Sequence, residues 1–404
     1  MSAPTLAIDE EQVRAVLARC VPRRDGTEKI TTLGAGGYDI EAGRRYLSTT
    51  VDEGLAVPTW PSRYGGRDAG RTEVAMISRV HADYALPDLY PFRVGMKMAG
   101  PTLLEHGTAE QNDRWLRRMA SGEDIWCQLF SEPDAGSDLA NVSTMAVRDG
   151  DVWRLDGQKV WTSRGDYSDW GICLARTDPS VPKHDGVTMF SVRMDAPGVE
   201  VRPLVQMNGD SHFSEVFLSG AVVPDTDRIG EVNGGWKVTV SLLAHERAGA
   251  DRSAPTASGS ALPMWLTRLS AQGALTDPSL RDRAMALLCL DEAIRLTQLR
   301  AAANQAAGRR PGPEGSGQKL NGSRSFKERV SIMAAAAGAD AMLSDWSGSI
   351  DVLTSPSMSI RGGTDEIQRN ILAERVLGLP TDARTDRNVA WSLSRRGLTH
   401  APSI

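Results

Sequence analysis

The chain has 404 residues, of which 41% are hydrophobic and 24% charged, so it can bury a sizeable core and is too apolar to be disordered. Its 46 Lys and Arg nearly balance 51 Asp and Glu for a net charge of −5, which excludes the basic excess of a nucleic-acid binder. Cys20, Cys127, Cys173 and Cys289 are far apart, with no CxxC pair and no His at ligand spacing, so neither a disulfide scaffold nor a metal site is expected. The first residues are acidic and lack the apolar run of a secretory leader. No apolar stretch reaches the roughly 18 residues a membrane span needs. A cytoplasmic protein of two or three domains is expected.

In chain order, the texture changes twice. Residues 1–124 read as a helical domain. EEQVRAVLARC places Val13, Val16 and Leu17 on one helical face, and Val74, Ile77 and Val80 repeat the pattern. Thr108 with Gln111 three residues on forms a capping box for the helix that ends at Gly122. Residues 125–232 read as short strands, WCQLF, MAVRD, VWRLDGQKVW, WGICLAR, GVTMFSVRM, GVEVRPL and SEVFLSGAVVP. Asp149-Gly150 and Asp156-Gly157 carry hairpin-type turn signals. That spacing predicts a compact β-barrel or sandwich insert, not βαβ units. Residues 233–404 return to long Ala/Leu-rich helices, with RRPGPEGSGQK as a loop between two of them. The fold class expected is mostly α with a central β-barrel. No GxGxxG or GxxxxGK[ST] sequence supports a phosphate-cradling loop.

Three segments carry chemistry. Gln128-Leu-Phe-Ser-Glu-Pro-Asp-Ala-Gly-Ser-Asp138 runs from a strand into a loop of small and acidic residues. By composition alone it reads as an Asx or Ser turn. Asp156-Gly-Gln-Lys-Val-Trp-Thr-Ser163 ends a strand on an aromatic and two hydroxyls, and Trp161 by itself reads as core. Ser359-Ile-Arg-Gly-Gly-Thr-Asp-Glu-Ile-Gln-Arg369 feeds a Gly-Gly turn into a helix capped by Thr364.

In their order and spacing these three segments resemble the signatures of the acyl-CoA dehydrogenase family, and the resemblance spans essentially the whole chain. It implies a helical domain, a middle β domain and a C-terminal helical bundle that bind FAD and an acyl-CoA. By carry-over, Trp161 faces the flavin ring and Ser163 bonds near its N5. Gln128, Phe130, Ser131, Ser137, Thr162, Thr364 and Glu366 complete the FAD contacts. Ser137, Arg247, Gly362 and Gly363 are assigned to the substrate.

The family's reaction removes an α-proton with a carboxylate while the β-hydride goes to flavin. It needs a polarised thioester carbonyl, because the α-proton is otherwise too weakly acidic. In most members the carboxylate directly precedes the Gly-Thr of the third segment, where this chain has Gly362. A minority branch carries it on the helix after the β domain, before an Arg, and here Glu246-Arg247 occupy that place. Glu246 is therefore the expected base, whereas an unassisted reading makes it an ordinary surface carboxylate. His245 is read as structural.

Two family segments that reach a neighbouring subunit's FAD are replaced by SAQGALTDP and WSGSIDVLTSP. Similar losses mark the branch built from two unlike subunits that acts on steroid side chains. The expected partners are an electron-transfer flavoprotein and a second copy or a related subunit. The competing readings are a subunit whose site a partner completes, and an oxidase or monooxygenase on the same fold.

Overall fold

The computed structural model describes residues 8–24, 39–249, 262–307, 309, 312–381 and 386–395. They divide into two compact units. One comprises residues up to 206, 210–246 and 384 onward, and the other 207–209 and 247–383.

The first unit opens with helices α1 (Glu10–Ala18), α2 (Ile40–Thr50), α3 (Arg71–His81), α4 (Gly100–His106) and α5 (Ala109–Ala120). The capping box read at Thr108 is present, with Gln111 N–H donating to the Thr108 hydroxyl and the Gln111 side chain accepting from Thr108 N–H. The expected faces of α1 and α3 are buried at Val13, Val16, Leu17, Ile77 and Val80, while Val74 is half-buried.

Eight strands follow: β1 (Trp126–Leu129), β2 (Met145–Asp149), β3 (Val152–Ser163), β4 (Trp170–Arg176), β5 (Val187–Arg193), β6 (Val199–Leu204), β7 (Phe213–Pro224) and β8 (Arg228–Ile229). They form one sheet in the order β6-β7-β3-β2-β4-β5-β8, with β1 added parallel to β4. The expected barrel is thus corrected to an open sheet: among the described residues no pairing joins β6 to β8. Its ends cannot close, because β8 offers only two paired residues and β6 alternates half-buried and exposed positions. A second correction concerns Asp156-Gly157, which is not a turn. β3 runs through it with a register shift between Leu155 and Gly157. Glycine is required there, since an added Cβ would lie 2.4 Å from the Thr144 hydroxyl and 2.7 Å from Thr144 Cα. Asp156 instead accepts the Gly220 N–H at 2.7 Å.

Alternation along the strands divides the core. Trp170, Ile172 and Leu174 of β4 join the N-terminal helices, where Trp126 stacks on Trp170 and the Trp115 edge of α5 meets both. Cys173 and Ala175 face the other way, onto Trp153, Leu155, Phe190, Val216 and Leu218. The strand phase leads into α6 (Gly235–Gly249), whose Val238 and Leu242 complete the helical core. The C-terminal α12 (Trp391–Ser394) belongs to this unit too.

The second unit contains α7 (Met264–Ala271), α8 (Pro278–Ala306), α9 (Gly315–Ala337), α10 (Ser349–Thr354) and α11 (Asp365–Ile371) around Leu266, Leu269, Ala284, Leu287 and Ile332. Helix α9 begins at Gly315, inside the segment read as a loop. No helix among the described residues is long and apolar enough to cross a membrane.

One charged pair sits inside the first unit. Lys159 Nζ, wholly buried, donates to Glu132 Oε1 at 2.8 Å, Leu174 O at 2.7 Å and Phe130 O at 3.2 Å. Glu132 also accepts the Thr144 N–H at 2.9 Å, and from Ser143 both the N–H at 2.6 Å and the hydroxyl at 2.9 Å. Burial pushes the Glu132 carboxyl up, but the Lys159 charge and these hydrogen bonds outweigh it and hold the pKa down at about 2. Because the folded value lies below the ordinary 4.5, the stabilisation is complete above pH 4.5 and is lost as pH falls toward 2. Glu132→Gln strands a buried ammonium and is expected to cost about 3–5 kcal/mol at pH 7. Its stability should also fall less steeply than the parent's between pH 4.5 and 2. Urea midpoints over that pH range measure both, and an unchanged midpoint at pH 7 would refute the assignment.

Candidate active site

The first two chemical segments are physically joined. The N–H of Val160 in β3 donates to Ser131 O at 2.9 Å, and Lys159 reaches Phe130 O from the same stretch. Neither Lys159 nor Glu132 was singled out by sequence reasoning. The signal was a Lys at an inward position of a strand, masked by the register shift that buries both Lys159 and Val160.

That shift lies between Lys159 and Thr162 and re-aims the residue inside it. Trp161 has φ of 60°, the left-handed region, and its side chain is 55% exposed. A bulky residue held at positive φ is strained by about 1–3 kcal/mol, and such strain collects at functional sites. The core reading of Trp161 is thereby excluded. Phe213 of β7, another residue missed by the sequence reading, meets the indole edge-on with ring centroids 5.7 Å apart. Ser163 is half-buried beside it, and Thr162 is buried with a hydroxyl that has no partner in the structure. Arg164 follows with φ of 68°, buried, its guanidinium 3.7 Å from the Tyr90 ring centroid.

On the first segment Gln128 and Ser131 are half-buried, Phe130 is buried and Ser137 is exposed on its loop. Glu246 is half-buried near the C-terminal end of α6. The start of that helix is anchored at Asn233, whose N–H donates to the Thr188 hydroxyl at 2.8 Å. Farther along, Ser241 donates to Glu105 Oε1 at 3.1 Å, which makes His106 Nε2 the donor in its 2.8 Å bond to the Ser241 hydroxyl. His245 Nε2 lies 3.5 Å from Glu105 Oε2, in keeping with a structural role. Burial lowers the His106 pKa, favouring the neutral ring that this chain of bonds uses. Arg247 continues the helix, but its side chain lies outside the described residues.

The third segment stands in the second unit. Gly362 and Gly363 have φ of 66° and 85°, so both need glycine. Gln368 Nε2 donates to Gly362 O at 3.0 Å and closes the turn, a role the sequence reading did not assign. Thr364 caps α11 by accepting the Ile367 N–H at 3.2 Å. Glu366 is exposed and pairs with Arg369 at 3.2 Å. Asp365 is buried. Burial raises its pKa, but Lys319 at 2.8 Å, Ser359 and Lys327 outweigh that and keep it below the ordinary value, fixing α11 to α9. Glu246 and Trp161 belong to the first unit, and the glycine turn and Thr364 to the second.

The residues present suit a flavin. An exposed indole on a strained bulge offers a flat apolar contact, and the Ser163 hydroxyl next to it can serve a ring heteroatom. Arg, Lys and Gly-rich phosphate loops are not needed for that contact.

Comparison with known proteins agrees. The acyl-CoA dehydrogenase N-terminal domain matches residues 26–123, the middle domain 127–220 and the C-terminal domain 233–377. The acyl-CoA dehydrogenase FadE34 of Mycobacterium tuberculosis is 41% identical over 82% of this chain, and the chain spans 45% of that relative's length. The acyl-CoA dehydrogenase IpdE1 of the same organism is 34% identical over 87% of this chain and 92% of its own. Among solved structures, the Tcur3481–Tcur3483 steroid ACAD superposes with a TM-score of 0.71 at 28% identity, covering 92% of this chain and 97% of that one. The ChsE4–ChsE5 complex from Mycobacterium tuberculosis gives 0.70 at 27% identity, with the same coverage of both. The chain belongs to the acyl-CoA dehydrogenase family of FAD-dependent oxidoreductases.

Proposed function

We propose that the chain dehydrogenates an acyl-CoA thioester to the trans-2-enoyl-CoA, with Glu246 removing the α-proton. The observation that carries this reading is Trp161, strained and exposed on its bulge, with Ser163 beside it. Bound FAD supplies the acceptor for the hydride leaving Cβ. Trp161, Ser163, Ser131, Ser137, Phe130, Gln128 and Thr162 would hold it from the first unit, and Thr364 and Glu366 from α11. Ser137, Arg247, Gly362 and Gly363 serve the thioester. The Gly362 N–H polarises its carbonyl, a task that needs no side chain and leaves the place of the commoner carboxylate open. Glu246 then takes the proton from a substrate whose acidity that polarisation has raised. The domain limits 1–124, 125–232 and 233–404 belong to this reading. So does delivery of the electrons to an electron-transfer flavoprotein. All four cysteines are free, which supports a cytoplasmic setting.

Likeness to the steroid ACAD favours an acyl group on a steroid side chain, and likeness to the ChsE4–ChsE5 complex favours assembly with a related subunit. The second unit exposes Met342, Leu343, Ile350 and Leu353 within a short stretch, a surface suited to burial against another chain.

Glu246→Gln keeps size and polarity but removes the base. It is expected to retain FAD and to slow anaerobic bleaching of the flavin by acyl-CoA by at least about 10²-fold. Near-parent bleaching would overturn the assignment. Light scattering on the chain alone and co-expressed with a related subunit tests assembly. The expected result is full flavin content only in an oligomer, and a fully flavin-loaded monomer would contradict it.

A further inference from the structure

The C-terminal family match ends at residue 377, yet residues 386–395 return to the first unit and pack on the loop that carries Ser137. The contacts are of four kinds. Backbone: Trp391 N–H donates to Val181 O at 2.8 Å and Ser392 N–H to Pro179 O at 3.0 Å, and Ala390 bridges Pro182. Ring: the Trp391 indole covers the guanidinium of Arg176 at 4.4 Å. Arg176 is wholly buried and donates to Val142 O at 3.0 Å, Ala140 O at 2.6 Å and Lys183 O at 3.3 Å; burial lowers its pKa to about 10. Hydrogen bond: Trp391 Nε1 donates to Asn141 Oδ1 at 2.9 Å. Charge: Arg395 meets Asp134 at 2.9 Å, and Lys183 bridges Asp386 at 2.6 Å to Asp138 at 2.9 Å.

Asp134, Asp138 and Asn141 bracket Ser137 on both sides. Each is held, directly or through Lys183, by a residue of this segment. A groove of about 380 Å³ lies between segment and loop, lined by Asp134, Asp138, Asn141, Asp386, Ser394 and Arg395. The base of the loop is held by the Glu132–Ala135 backbone pair and the buried Ala135, but its tip at Gly136, Ser137 and Asp138 is exposed. We propose that residues 386–395 form a strap that fixes the Ser137 loop for coenzyme A binding, with Trp391 as its positioning residue. This rests on the reading that Ser137 contacts the thioester substrate. The indole does two jobs at once: it shields a buried cation with its face and orders the loop with its N–H.

The test uses the FAD-loaded protein in its native assembly, with free coenzyme A as probe. Trp391→Ala is expected to raise the coenzyme A dissociation constant about fivefold or more, the scale of a lost hydrogen bond and ring contact. Amide exchange over 133–141 should quicken, while turnover at saturating FAD and acyl-CoA holds. Trp391→Phe keeps a ring over Arg176 but lacks the N–H, and should recover part of the affinity. Arg395→Ala, which removes the ion pair with Asp134 and the guanidinium 5.8 Å from the Trp391 ring but leaves Trp391 on Arg176 and Asn141, should shift both readouts the same way by less. Unchanged affinity in Trp391→Ala overturns the strap's role, whether or not exchange quickens. If coenzyme A affinity depends on Trp391 while Glu246→Gln still bleaches normally, the strap stands and the assignment of the base falls.

Discussion

A single buried ammonium joins the first two signature segments. Lys159 has three protons to give and spends them on Glu132, Phe130 O and Leu174 O, that is, on the first segment, its backbone and the central strand β4. Glu132 in turn gathers the backbone of Ser143 and Thr144, where the loop re-enters the sheet. A buried pair of this kind is weak evidence of net stability, since apolar residues of like size can do as well. Its value lies in direction: each hydrogen bond admits one geometry, so the strand end at 159–163 and the loop start at 130–132 are held in one register. The strain at Trp161 persists because Lys159 and Val160 are tied to the first segment before it and β3 resumes its pairing with β7 at Thr162 after it.

Much of the fold was legible in the sequence. Helical spacing located α1 and α3, the Thr108 capping box marked α5, and seven of the eight strands in the middle segment were recognised, the two-residue β8 being too short to show. The failures share a cause. Asp156-Gly157 looked like a turn because Gly usually frees the backbone, whereas here the missing Cβ is what lets β3 pass Thr144. Barrel closure was inferred from strand count, but closure depends on the edges, and β6 and β8 are too exposed and too short to meet. Local pattern does not encode such long-range fits.

For the site, the three segments were found by their order. What pattern could not show was the second layer. Lys159, Phe213 and Trp391 act through neighbours distant in sequence, Gln368 through the turn six residues before it, and Trp391 sits in a stretch whose composition is ordinary. Trp161 illustrates the difference. Its residue type suggested core and its motif a flavin contact, and the backbone angle and the exposure remove the core reading.

The claim that the Lys159–Glu132 pair sets the flavin surface is tested most directly by FAD affinity in a double variant, Lys159→Met with Glu132→Gln. The single amide oxygen accepts from Ser143 or from Thr144 but not from both, and neither charge of the pair is left behind unpaired, so the fold is retained. Fluorescence titration of the apoprotein with FAD should then show binding weakened by about tenfold or more, although the urea midpoint stays near the parent's. FAD affinity equal to the parent's in a folded double variant would contradict the account.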